Sequence, residues 1–101
     1  MNKYQRFNLP EEEIDYHLFG PGVTREEIEL YTQSNLEDFK EAGLKIVRLV
    51  TGQGLHSPHG PIIRPIVLAY LEKLEKQGAI KSYTYEKSFN GPNEGSIIVR
   101  L

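Results

Sequence analysis

The chain has 101 residues, suiting one domain with its own core. It has no cysteine, which excludes disulfides and thiolate metal sites and fits a reducing, cytoplasmic setting. A net charge of −2 counts slightly against a nucleic-acid binder, no apolar run approaches the ~20 residues of a membrane span, and "MNKYQRFNLPEEE" lacks the apolar stretch of a signal peptide.

The stretch "EEIDYHL" alternates. Ile14, Tyr16 and Leu18 share one side, Asp15 and His17 the other, as in a half-buried strand. "FGPG" breaks it. Thr24, with Glu27 three residues on, has the form of a capping box. A helix follows, whose inner stripe is Ile28, Tyr31, Asn35, Leu36, Phe39 and Ala42, and Gly43 is placed to end it. "LKIVRLV" reads as a buried strand. The loop "TGQGLHSPHGP" leads to Pro61, suited to the first position of a second helix. Ile62, Ile63, Ile66, Val67, Tyr70, Leu71 and Leu74 supply that helix's apolar face, and Gly78 closes it. "AIKSYTYEK" alternates like an edge strand, "SFNGPNEG" reads as a loop, and "SIIVRL" as an interior strand.

The order is β-α-β-α-β-β. It implies right-handed crossovers and mainly parallel pairing, in a four-stranded mixed sheet under two helices. The last strand fits antiparallel in the interior. Charge divides along the chain. Residues 1–44 hold four Lys/Arg and ten Asp/Glu; residues 45–101 hold eight and four. An anionic partner is therefore expected to meet the second half.

Both loops that follow the first two strands lie at the sheet's carboxyl edge, where ligands bind in parallel sheets. All three histidines, His17, His56 and His59, fall on or beside it. Gly52 and Gly54 form a Gly-x-Gly that can aim backbone N–H groups at an oxyanion, or simply permit a tight turn. The loop has neither the Gly-Lys-Ser/Thr of a phosphate loop nor a third glycine of a dinucleotide fingerprint. Arg64 falls in the first turn of helix two, where the macrodipole disfavours a cation by ~0.3–1 kcal/mol unless an anion is present. Asp15 and His17 suit a general base held by a carboxylate, two ligands of a divalent cation, or a surface ion pair. Ser57, next to His56, does not make a nucleophile pair.

Together, "IDYH", "TGQGLHSPHGPIIRPIVLAYL" and "EGSIIVRL" resemble the motifs of the small MutS-related (Smr) domain family. The resemblance runs from Glu13 to Leu101, leaving residues 1–12 as an N-terminal extension and 13–101 as the domain. It implies an α/β (α+β) fold, a two-layer βαβαββ sandwich with a mixed sheet of order 1-2-4-3, like the C-terminal domain of translation initiation factor three. It implies binding of DNA or RNA, with nicking or RNA cleavage in some members, with or without Mg²⁺ or Mn²⁺. Partners implied include a MutS-like protein or the ribosome. By position, Asp15 and His17 match the residues implicated in cleavage and tentatively in metal binding, and His56 is a second acid–base candidate. Thr51, Gly52, Gln53, Gly54, His56, Ser57, His59 and Arg64 match the segment expected to hold the nucleic-acid backbone. Two departures stand out. Six residues separate His17 from Thr24 where the family has two, and Gln53 replaces a frequent Lys or Arg.

Three functions follow as expectations: an endonuclease, a non-catalytic nucleic-acid-binding module, or a protein-interaction or small-anion-binding domain. Protein interaction would use the acidic face formed by Glu26, Glu27, Glu29, Glu37, Asp38 and Glu41.

Overall fold

The computed structural model describes residues 10–20, 22–51, 63–88 and 91–101, with side chains left aside at 86–88 and 91–95. Four strands and two helices alternate in the expected order. They are β1 (Glu12–Asp15), α1 (Arg25–Glu41), β2 (Ile46–Val50), α2 (Ile63–Lys76), β3 (Ser82–Ser88) and β4 (Gly91–Arg100). The sheet order is β1-β2-β4-β3.

Only β1 and β2 pair in parallel. The other two neighbour pairs, β2 with β4 and β4 with β3, are antiparallel. The expected predominance of parallel pairing therefore fails. β1, β2 and β3 do run the same way, but β4 returns between β2 and β3 and separates them.

Alternation sorts the sheet into two faces. Ile14, Val47, Leu49, Ile97 and Val99 are almost wholly buried against the helices. Ile28 and Leu36 of α1 and Val67, Leu71 and Leu74 of α2 close the same core. Each such side chain contributes about 1.5–3 kcal/mol by leaving water. On the other face, Arg48 Nη1 meets Glu13 Oε1 at 2.7 Å across the β1–β2 pair. The start of β1 is pinned as well: the Glu11 carboxylate accepts from the backbone N–H groups of Lys45 (2.7 Å) and Ile46 (3.1 Å).

The helix ends follow their sequence signals. The Thr24 hydroxyl accepts from the Glu27 N–H and donates to the Glu27 carboxylate, both at 3.1 Å. This is a capping pair whose acid reaches the cap's hydroxyl. Gly43 and Gly78 take φ values of 80° and 78° just past the two helices, where a side chain would be strained. The acids on α1 are exposed, apart from a half-buried Glu29, and form its solvated face.

Two expectations are corrected. β1 stops at Asp15, and Leu18, placed by alternation on the buried side, is 64% exposed. The chain turns at His17–Leu18, so the period-two pattern no longer applies beyond Tyr16. "SFNGPNEG" is also not simply a loop: Gly91–Gly95 belong to β4, with Gly91, Pro92 and Asn93 facing Ser88, Lys87 and Glu86. That part of β4 lies beyond the end of β2 and has one neighbour, so Pro92, which has no N–H, is tolerated. A register shift at Tyr85/Glu86 accommodates the extra residues.

Candidate nucleic-acid interface

Sheet register defines the edge. Asp15 lies beside Val50, and Val50 beside Ser96; one rung further in, Ile97 lies beside Tyr85. The carboxyl ends of β1 and β2 therefore finish level, and Thr51 begins the loop from a half-buried position there. Gly52, Gln53, Gly54, His56, Ser57 and His59 lie outside the described residues, as do Pro61 and Ile62.

At the β1 end, Asp15 and His17 come together. The His17 backbone N–H donates to Asp15 Oδ1 at 2.8 Å, and the same oxygen lies 2.6 Å from His17 Nδ1. The cause differs from the one expected. The two residues do not stand side by side on a strand; the carboxylate closes a turn onto the residue two further on, as aspartates do at chain reversals. The His17 backbone N–H, and then its ring, hold the Asp15 carboxyl below the usual carboxylate range. An ionised carboxylate only accepts, so Nδ1 carries the proton and Nε2 presents its lone pair outward. Both side chains are well exposed, His17 at 69%.

Three aromatic rings support this turn. Tyr16 is fully buried beneath it. Thr32 donates to the Ile28 carbonyl (2.8 Å), so the Tyr16 hydroxyl is the donor in its 2.5 Å bond to Thr32. Tyr31 packs edge-on to Tyr16 and Phe19 at 5.3 and 5.1 Å between ring centres. Its hydroxyl donates to the Asp15 carbonyl oxygen at 2.9 Å. Sequence reasoning placed Tyr31 only in the helix stripe. The spacing of Tyr16, Phe19 and Tyr31 gave no sign that they would meet, because the six residues after His17 set how the chain returns to α1.

A divalent cation fits the β1 end poorly as placed. Asp15 Oδ1 and His17 Nδ1 are engaged with each other, and among the described residues no three His, Asp or Glu side chains converge. Magnesium, which prefers oxygen ligands, would find one remaining carboxylate oxygen and the Nε2 nitrogen there, so the pair suits proton transfer better than chelation.

At the other end, Arg64 sits in the first turn of α2, as expected, and its guanidinium lies 4.7 Å from the centre of the Tyr85 ring on β3. The two helix starts contrast. α1 has Glu26 and Glu27 in its first turn, whereas α2 has no acid there and carries Arg64. An anion is therefore favoured at α2 and opposed at α1. Three inter-strand steps separate β1 from β3, about 14 Å. The structure thus brings Asp15 to His17 but leaves Arg64 at the far side of the edge.

Comparison with known proteins agrees with this architecture. The Smr domain model matches residues 21–101. The chain superposes on the crystal structure of the Smr domain of Thermus thermophilus MutS2 with a TM-score of 0.64 and 23% identity. That alignment covers 89% of this chain and 96% of the other. A search of curated proteins gave no match. The family match begins after His17 and includes the whole of the loop, α2, β3 and β4. The chain belongs to the Smr domain family.

Proposed function

We propose that this Smr domain binds nucleic acid by its phosphate backbone across the carboxyl edge of the sheet, and cleaves a phosphodiester there. The observation carrying this reading is the Asp15–His17 pair at 2.6 Å, which leaves Nε2 of an exposed imidazole as a proton acceptor. Nε2 takes the proton of the attacking water or hydroxyl as its oxygen bonds to phosphorus. The bond from phosphorus to the leaving oxygen breaks, and that oxygen takes a proton from a second acid, for which His56 is the candidate. Arg64 and the amides around Gly52 and Gly54 are assigned to the phosphate charge.

The test is cleavage of supercoiled plasmid and structured RNA by the full chain, with Mg²⁺, with Mn²⁺ and with EDTA. Wild type should cut and a His17→Ala, His56→Ala double variant should not. Identical product patterns from both would remove catalysis from this site.

A non-catalytic nucleic-acid-binding module is the second reading, favoured by the lengthened segment between His17 and Thr24. It predicts binding whose log K falls linearly with log salt, without cleavage.

A further inference from the structure

Tyr85 is the third large apolar side chain that remains exposed among the described residues, at 47%. Unlike Leu18 and Leu30, it belongs to a formed surface. Tyr83 and Tyr85 pair with Val99 and Ile97, so both stand on the helix-bearing face of β3. Between them and α2 runs an open groove of about 600 Å³, walled on the helix side by Pro65, Leu68 and Ala69. Tyr83 is half-buried and packs on the core, which fixes the groove's inner end. Glu72 lies along the same wall.

The groove has a polarity. Arg64 stands over Tyr85 at one end, at the first turn of α2, and Glu72 stands near Tyr83 at the other. A ligand suited to it has a negative group beside Arg64, a flat apolar surface over Tyr85 and hydrogen-bond donors toward Glu72. A nucleotide has all three: a phosphate, a π-face that every base offers to an aromatic ring, and, on three of the bases, an exocyclic amine. The two tyrosines lie two residues apart on a strand, roughly 6.6 Å. A stacked duplex hides its base faces, so the occupant must be unpaired.

We propose that the α2–β3 groove is a base-stacking platform. Tyr85, with Tyr83 behind it, takes an unpaired base flanking the phosphate held at the start of α2, and Arg64 bridges the phosphate and the ring. The substrate class is therefore single-stranded nucleic acid, or a single-stranded segment beside a duplex. This rests on the reading that the carboxyl edge binds a nucleic-acid backbone.

The test uses the full chain, a short single strand containing 2-aminopurine, and the blunt duplex of the same sequence. Anisotropy gives affinity and 2-aminopurine fluorescence reports stacking. Wild type should quench the probe in the single strand. Tyr85→Leu should weaken single-strand binding about tenfold and abolish the quench, with duplex affinity changed less than about twofold. Tyr85→Phe should retain the quench. Equal single-strand affinity and quench in wild type and Tyr85→Leu overturns the platform while leaving backbone binding intact, as does an equal loss on both polymers. If wild type binds neither polymer, the platform and the parent reading fall together. Should Tyr85→Leu not fold, the wild-type Tyr85 ring protons decide. An upfield shift on adding the single strand supports stacking, and unmoved resonances refute it.

Discussion

The two ends of the carboxyl edge are built by opposite means. At β1, a carboxylate and an imidazole hold each other in an exposed turn, over a bed of three aromatic rings. At β3, a guanidinium lies on an aromatic ring at the mouth of a groove. The first arrangement fixes a tautomer and offers a proton acceptor; the second offers positive charge and a stacking surface. In the proposed function the first end serves proton transfer and the second holds the phosphate and the base.

Substitutions at each end should therefore move different quantities. The largest effect is expected from His17→Ala. Losing a general base should cut the cleavage rate by about 10²–10⁴-fold while affinity stays within about twofold. Pre-steady-state cleavage alongside anisotropy separates the two, and a matched loss of affinity would erase the division. Arg64→Ala should do the reverse. Affinity should drop about tenfold, and the slope of log K against log salt should become shallower by about one. The rate of the bound complex should change little. Tyr31→Phe removes the donor on the Asp15 carbonyl and should cost about 1 kcal/mol in urea unfolding. Its cleavage loss should be small, because the Asp15–His17 bonds remain.

The smallest effect is electrostatic. The depressed Asp15 pKa means the folded state binds that proton less readily than the unfolded chain. Its stabilising contribution is therefore present above the ordinary carboxylate value of about 3.9 and is lost as pH falls through the lower folded value. An NMR titration of the Asp15 carboxyl carbon should give a midpoint below about 3.9, moving up only part of the way in His17→Ala, because the backbone N–H that lowers it most is still there. At the alkaline end, burial raises the Tyr16 pKa. The stability it lends is complete below about 10 and declines as pH rises beyond that.

Much of the fold was legible because local signals agreed with the tertiary demands on them. Thr24 with Glu27, Gly43 and Gly78 set helix ends whatever the surroundings. Ile46–Val50 and Ser96–Arg100 are too apolar for edge strands, which placed them inside. Leu18 misled because alternation is informative only while a strand continues, and Asp15 ends β1 by capturing the His17 N–H. Gly91–Gly95 misled because glycine and proline mark loops in a strand with two neighbours, and this part of β4 has one. Of the candidate site, the Asp15–His17 pair was legible as a pair, though through a strand geometry that does not exist. Tyr31 and Tyr85 were not, since their roles depend on contacts between residues far apart in the chain, Tyr31 with Tyr16 and Tyr85 with Arg64.

Everything proposed above requires nucleic acid to lie along the carboxyl edge. The most direct measurement is a ¹H–¹⁵N titration of the wild-type chain with short DNA and RNA strands. Shifts are expected at Asp15–His17, through Thr51–Arg64 and at Tyr85, fading with added salt. Shifts confined to the acidic face of α1, at Glu26, Glu37 and Asp38, or an unchanged spectrum with both polymers, would rule out binding along that edge.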